Sequence, residues 1–506
     1  MLAGLFLWSL WAVFQALLLP VAASNSSCSA IQPSRLRPRV LILTDIANEP
    51  DDAESLVRLL VYSHQFRLQG FVATTSYWLN SSTHEDQIID TLKVYGKVLP
   101  NLKAHVADGW PEAQFLVNNT KAGLPVYGMD GVGEGKDSDG SELLIRSVDA
   151  SDEPLWLPCW GGTAVLAQAL WKVNATRSSD EMERFVRKLR VYAVSDQDNT
   201  GTWIRRNWPQ LFYIASVHHF NIYADAAWSG ISGDNYYHYE HVGANSSVIT
   251  KKWTKKYIQD VSELGAQYPM FDYIPEGEFL AFSFLTLRTN LLGDTPTFLY
   301  LIQNGLSDPE HPEWGSWGGR YGPVCYGEGH YADTIDLLTG PDGIKRSSSQ
   351  ATIWRWRSAY QADFAARMQW AATYRFEDAN HPPVAVVNQH CGLAPVEFTM
   401  QPNQTIQLNA STSYDPDGDK LSFKWWQYVE PSDSEWPPST NALSLRIRDA
   451  SSPNPTITLP SANTLWQAGG AGGNRLERTL HLILEVNDGA LVSYRRVLIK
   501  FNIPRT

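Results

Sequence analysis

A chain of 506 residues exceeds one ordinary core and implies two or three domains of about 150 residues each. Its 43% apolar and 19% charged residues exclude wholesale disorder. The formal charge of −12, from 53 acidic against 41 basic residues, comes without a Lys/Arg block long enough to follow a phosphate backbone, which argues against nucleic acid as a partner.

Leu2–Leu19 form an apolar run, and Val21-Ala22-Ala23 supply the small residues of a signal-peptidase site. Residues 1–23 therefore read as a signal peptide, and the mature chain is expected to be secreted and extracellular. No later apolar run is long enough to span a bilayer, so no membrane contact is expected after cleavage. Asn-x-Ser/Thr sequons at Asn25, Asn80, Asn118, Asn174, Asn245, Asn403 and Asn409 fit a glycoprotein. Cys28, Cys159, Cys325 and Cys391 make an even set that allows three pairings in an oxidising compartment.

From Arg39 to about Phe376 short apolar runs alternate with helical patterns, the signature of an α/β domain with a mostly parallel sheet covered on both faces. Strands are expected at Val40–Thr44, Leu68–Thr75, Leu189–Ser195 and Leu211–Ala215, and helices at Asp52–Ser63, Glu85–Val98 and Thr163–Val173. Prolines at His381-Pro382-Pro383 end this pattern. Short alternating segments follow, at Thr405–Leu408, Leu421–Trp426 and Leu480–Val486, which read as antiparallel strands of a β-sandwich. The domains are accordingly placed at residues 38–378 and 383–506.

Thr44-Asp45-Ile46-Ala47-Asn48-Glu49-Pro50-Asp51-Asp52 follows the first strand directly. In a doubly wound sheet the ligand site lies beyond the carboxyl ends of the strands. Three aspartates converging there can give a hard cation its oxygen ligands. Asp51 and Asp52 behind Pro50 also suit a first helical turn through the helix dipole alone. Several further blocks stand at strand-to-helix turns: Thr74-Thr75 with Asn80, Tyr127-Gly128-Met129-Asp130-Gly131-Val132-Gly133, Gly161-Gly162-Thr163, His219-Phe220-Asn221 ahead of Asp225, and Leu292-Gly293-Asp294-Thr295-Pro296.

Taken in this order, the blocks resemble the motifs of the nucleoside hydrolase superfamily, whose first block reads D-x-D-P-G-x-D-D. With the trailing β domain and a Trp/Gly-rich insert, the chain is similar to secreted, nucleoside-hydrolase-like proteins described as cellulose-binding. The resemblance implies one Ca²⁺ held by Asp52, Asp294 and a backbone carbonyl at Thr163 or Ala164, with Asp51, Asn80 and Asn221 contacting sugar hydroxyls. A gapless match puts Asp45 on the first aspartate of the block and Ala47 where the family has its metal-binding general base. A two-residue shift puts Asp45 in that role, and Asp45 is favoured as base and metal ligand because it ends the strand. Gly293 stands where many relatives carry a leaving-group histidine, Tyr127 replaces another, and His219 replaces a glutamate, so the nucleobase side is not reproduced.

His311–Gly322, with Trp314, Trp317 and Arg320, is too Gly-rich for a helix and reads as a ring-lined saccharide wall or a structural tryptophan cluster. Tyr414-Asp415-Pro416-Asp417-Gly418-Asp419 resembles the turn of extracellular immunoglobulin-like modules, and a structural Asx turn is expected there. The implied function is Ca²⁺-dependent hydrolysis of a glycosidic or N-glycosidic bond, with an oligosaccharide or polysaccharide as partner. The alternative is non-catalytic binding of cellulose or another plant polysaccharide.

Overall fold

A computed structural model describes residues 37–217, 225–232, 245–270, 293–324, 328–340, 343–432, 443–468 and 477–502. The expected signal peptide, Cys28, Cys325, His219 and Asn221 lie outside the described residues.

Strand β1 (Arg39–Thr44) is buried along its whole length, as a central parallel strand must be. Its side chains alternate between two cores: Val40 and Ile42 join one cluster, Leu41 and Leu43 the other. Helix α1 (Pro50–Tyr62) starts on Pro50, whose fixed φ and missing N–H suit a first turn, and returns the chain to β2 (Arg67–Ala73). Then follow α2 (Glu85–His105), α3 (Ala113–Asn118), β3 (Thr120–Ala122), α4 (Asp139–Asp149), β4 (Leu155–Cys159), α5 (Ala164–Thr176), α6 (Ser179–Arg187), β5 (Leu189–Ala193), α7 (Thr200–Asn207) and β6 (Phe212–Ala215). The expected elements are present with small boundary shifts. The largest is α2, which runs through Pro100 to His105 because Leu99 and Leu102 continue its buried stripe.

Strands β7 (Tyr321–Pro323) and β8 (His330–Asp333) complete an eight-stranded sheet of order β3-β2-β1-β4-β5-β6-β8-β7. Every pairing is parallel except β7 with β8. The order runs outward in opposite directions from β1 and β4, so their carboxyl ends flank the switch-point crevice in which such sheets bind ligands.

After a short hairpin of β9 (Asp336–Thr339) and β10 (Lys345–Ser348), the C-terminal part forms two sheets. One joins β11 (Val396–Thr399), β17 (Val492–Asn502), β16 (Glu477–Asn487) and β13 (Ser422–Tyr428); the other joins β12 (Thr405–Gln407), β15 (Thr456–Thr458) and β14 (Arg446–Arg448). Leu482, Leu484 and Val486 of β16 face a core shared by these sheets, while Ile483 between them joins the core of the α/β part. The Asp415 turn is structural, its Oδ1 accepting from the backbone of Asp417 at 2.8 Å and Asp419 at 3.1 Å. The cysteines do not pair as an even set, since Cys159 is free and buried in β4, whose neighbours cover it on both sides. Cys391 is disulfide-bonded.

The two parts are clamped at Asp336. Its fully buried carboxylate accepts from Arg320 Nε at 2.8 Å, from Arg355 and from the Tyr428 hydroxyl at 2.7 Å. Burial works to raise this acid, but the charges of Arg320 and Arg355 overcome it and hold it below the usual range. Asp336→Asn leaves two buried guanidinium groups without their main counter-charge, and a cost of about 3–5 kcal/mol is expected, read as a fall in calorimetric melting temperature. An unchanged melting temperature would contradict the clamp.

Candidate active site

The acidic block occupies the switch-point crevice. Asp45 is the first residue beyond β1, and the chain then turns through Ala47 at φ 86° into α1. Asp45, Asp51, Asp52 and Asp294 are 1%, 3%, 0% and 0% exposed. Asp51 and Asp52 lie in the first turn of α1, yet no side chain caps that helix. Capping therefore does not explain them, although the helix dipole favours their charge. Asp294 precedes the short helix Thr295–Leu299, whose start is tied to α1 by Ser55 Oγ and Thr295 Oγ1 at 2.8 Å. Thr297 is held in turn by Trp160 Nε1 at 2.9 Å and donates to the Asp294 carbonyl at 2.7 Å.

One carboxylate oxygen from each of Asp51, Asp52 and Asp294 lies within 4.8 Å of the others. Thr44 Oγ1 donates to Asp52 Oδ1. Asp52 Oδ2 and both oxygens of Asp51 and of Asp294 are buried with no hydrogen-bond partner among the described residues. Burial pushes all three carboxyls well above the usual range, and the neighbouring carboxylates push them further. Hard oxygen donors at this spacing suit a divalent cation with oxygen distances of about 2.3–2.6 Å.

Asp45 stands beside this triple and adds its charge to each member. Its Oδ2 accepts from Asn48 Nδ2 at 3.5 Å, and its Oδ1 is buried without a partner among the described residues. Burial raises its carboxyl to about 6 against the lowering effect of hydrogen bonds from Ser76 and Asn48. A Cβ on Gly161, just beyond β4, would stand 2.6 Å from Asp45 Oδ1, so only glycine allows this approach. The Thr163 carbonyl accepts from Ala167 N at 2.9 Å in the first turn of α5, leaving one lone pair uncommitted by that bond.

Sequence reasoning missed two carboxylates. Asp198, five residues past β5, lies against Gly162, where a Cβ would come 2.5 Å from the Thr75 carbonyl. Its Oδ1 accepts from Thr200 N at 2.8 Å and Thr200 Oγ1 at 2.5 Å, and burial raises it to about 6. Its signal was the one used for Asp45, an acid just past a buried strand. Glu49 reads as a loop residue, yet its Oε2 is buried beside the triple without a partner among the described residues. Burial and then the charges of Asp51, Asp45 and Asp52 drive its carboxyl well upward.

Asn80 is exposed on a shallow pocket with Tyr77, Val126 and Tyr127. The Trp/Gly segment does not form an open wall. Trp317 is 2% exposed and meets Tyr360 and Tyr494 edge to face, and Arg320 is committed to Asp336. Trp314 is half-buried, its ring stacked on His311 at 4.0 Å. Arg496 of β17 donates to the carbonyls of Trp314 at 3.1 Å and Gly315 at 3.0 Å, fixing the segment against the β part. At Gly293 a Cβ would meet Ile231 Cγ2 at 2.9 Å and the Trp228 carbonyl at 3.0 Å, so this packing leaves no room for an imidazole there.

A mostly parallel sheet with acids gathered at the β1/β4 switch point defines a nucleoside-hydrolase-like domain. Residues 39–321 match the family described as "Cellulose-binding Sde182, nucleoside hydrolase-like domain", and residues 405–501 match "Cellulose-binding protein Sde0182, C-terminal domain". The chain belongs to this family. A solved structure described as a nucleoside hydrolase-related hypothetical protein from Saccharophagus degradans, associated with carbohydrate metabolism, is 33% identical, with 92% of this chain and 100% of that chain covered at a TM-score of 0.71. The type III effector XopQ complexed with adenosine diphosphate ribose is 12% identical, with 67% of this chain and 95% of that chain covered at a TM-score of 0.34. No match is found among curated proteins. Among the described residues no helix is long and apolar enough to cross a membrane.

Asp198 offers a test of the site's electrostatics. Its carboxyl is raised to about 6 from an ordinary 3.8, so its contribution to stability is full below about pH 4 and is lost as pH rises through 6. Asp198→Asn is expected to melt like the wild type near pH 4 and to be more stable by about 2–3 kcal/mol near pH 8. Thermal melts across that range check it, and an equal offset at both ends would contradict the assignment.

Proposed function

We propose that this chain is a secreted carbohydrate-active protein that hydrolyses a glycosidic or N-glycosidic bond in the β1/β4 crevice, with Ca²⁺ as its metal. The observation that carries this reading is the buried triple of Asp51, Asp52 and Asp294, whose oxygens lack partners among the described residues. A protein that uses the crevice only as packing has no reason to keep mutually repelling acids there. Asp52 and Asp294 would hold the ion with Asp51 beside them, and the ion when bound supplies Lewis acidity and an anchor for a sugar diol.

The protein's own groups cover the remaining chemistry. Asp45, whose buried Oδ1 has no hydrogen-bond partner among the described residues and whose carboxyl is raised to about 6, takes the proton from the attacking water at neutral pH. With no imidazole at Gly293, a leaving oxygen needs another proton donor, and Glu49, whose carboxyl burial and the neighbouring acids push upward, is the acid we assign to that role. Gly161 and Gly162 bring backbone close to Asp45 and Asp198. The family's cellulose-binding description supports a polysaccharide-derived substrate.

A non-catalytic, cellulose-binding reading is favoured by one feature: no carboxylate stands at Ala47, where the gapless match places the base. Product release from cello-oligosaccharides, other plant oligosaccharides and nucleosides, with Ca²⁺ and with EDTA, separates the two. Ca²⁺-dependent product that falls about 10²–10⁴-fold in Asp45→Asn is expected. Retention on cellulose with no product from any substrate would overturn the hydrolase.

A further inference from the structure

The loops that leave β2 and β3 form a rim beside the acidic crevice. Thr75, the second residue past β2, accepts from Gly162 N at 3.0 Å through its carbonyl and donates from Oγ1 to the Val126 carbonyl at 2.9 Å. The Ser76 side chain hydrogen-bonds Asp45, and its Oγ accepts from Trp78 N at 3.1 Å and Leu79 N at 3.0 Å, which folds the following residues into a tight turn. Tyr77 N donates to the carbonyl of Gln197, the neighbour of Asp198, at 2.7 Å. The second loop is held as firmly, since Asn199 Oδ1 accepts from Met129 N at 2.8 Å. Backbone on both sides of Tyr127 is thus tied to segments that leave β2 and β5.

On this fixed backbone stand rings that the core leaves uncovered. Tyr77 is 44% exposed, although it follows a serine with no exposure at all. Its ring meets Tyr127 edge to face, with centroids 6.2 Å apart and planes at 76°, and meets Trp78 in the same manner at 4.5 Å. Tyr77 and Tyr127 therefore make a corner open to solvent, lined further by Pro125 and Val126 and holding about 410 Å³, within the ~300–1,000 Å³ of small-ligand sites. Asn80 and Asp130 add an exposed amide and an exposed carboxylate to the lining. Burial and then the charge of Asp198 push the Tyr127 hydroxyl upward, so it keeps its proton and can donate. Aromatic faces pack on the C–H side of a sugar ring, and polar groups at the edge take up its hydroxyls. A carboxylate in the same lining repels a sugar acid.

We propose that the Tyr77–Tyr127 corner is a subsite for a neutral sugar ring, adjoining the ring held at the acidic crevice, and that Asp130 makes it select neutral over acidic oligosaccharides. Tyr77 is one residue from Ser76, whose side chain bonds the base, and this adjacency puts the corner next to the reacting bond. The subsite deepens, and rests on, the reading that the crevice takes a saccharide; it does not require the bound chain to be cleaved.

Fluorescence titration of the full-length, Ca²⁺-loaded protein, read within seconds of mixing, tests the subsite with the tetrasaccharides of glucose, xylose and mannose and with tetragalacturonate. Saturable binding of at least one neutral tetrasaccharide is expected, with tetragalacturonate about 10-fold weaker and Asp130→Asn narrowing that gap. Tyr77→Ala should weaken the neutral ligand about 10-fold at an unchanged melting temperature, because the ring is exposed, and Tyr77→Trp, which keeps a flat face, should bind like the wild type. No saturable binding of any neutral tetrasaccharide would overturn the subsite. Product release with Tyr77→Ala equal to wild type in binding and in kcat/KM would overturn it and leave the hydrolase standing, whereas Tyr77-dependent binding with no product from any substrate would do the reverse. Asn80 heads a sequon on this rim, so glycosylated and unglycosylated chains are both titrated; binding by the unglycosylated chain alone would mean that the protein's own glycan fills the corner, and would also overturn the proposal.

Discussion

Mutual repulsion among buried carboxylates is the constraint on which the rest of the structure depends. Asp51, Asp52 and Asp294 come together from α1 and from a helix start almost 250 residues later, and each is all but sealed from water. In a low-dielectric interior such a group is strongly unfavourable unless protons or a cation compensate it. The surrounding architecture is what forces it to exist. The β1/β4 switch point brings the first strand end to the Gly161-Gly162 turn, the Pro50 start aims α1 at the crevice, and the Ser55–Thr295 and Trp160–Thr297 hydrogen bonds hold the Asp294 loop in place. The cost of gathering these charges is thus spread over much of the α/β core.

The second organising feature is the fusion of the two parts of the chain. Strand β16 alternates between two cores, and Asp336 and Arg496 each satisfy groups from both sides of the junction. Buried ion pairs of this kind contribute less to net stability than to fixing one arrangement, because desolvation offsets much of their attraction. The Trp/Gly segment belongs to this junction. At Gly315 a Cβ would stand 2.6 Å from the Tyr428 hydroxyl, so glycine lets the two parts meet closely there, and Trp317 fills space between them.

Much of this was legible in the sequence. The continuous apolar run at Val40–Thr44 and the shift to alternating segments after Pro383 locate both parts, and the ordered blocks bring Asp45, Asp51, Asp52 and Asp294 to one crevice. What stayed hidden depended on burial. Trp317 and Arg320 carry the composition of a saccharide wall, and only the packing of the β part shows that they are covered. Glu49 looked like a loop residue until α1 turned it toward the triple, and Asp198 had the same strand-end signal as Asp45 without a motif to single it out. The free Cys159 was equally invisible, because pairing depends on where strands lie and not on an even count.

The central claim is that the acidic triple is compensated by a divalent cation. Calorimetric titration of the EDTA-stripped protein with Ca²⁺ in two buffers of different ionisation enthalpy tests it directly. The account predicts one ion per chain and release of protons on binding, since carboxyls raised by burial must ionise to become ligands. Absence of saturable binding, or binding unaltered in Asp52→Asn, would contradict it.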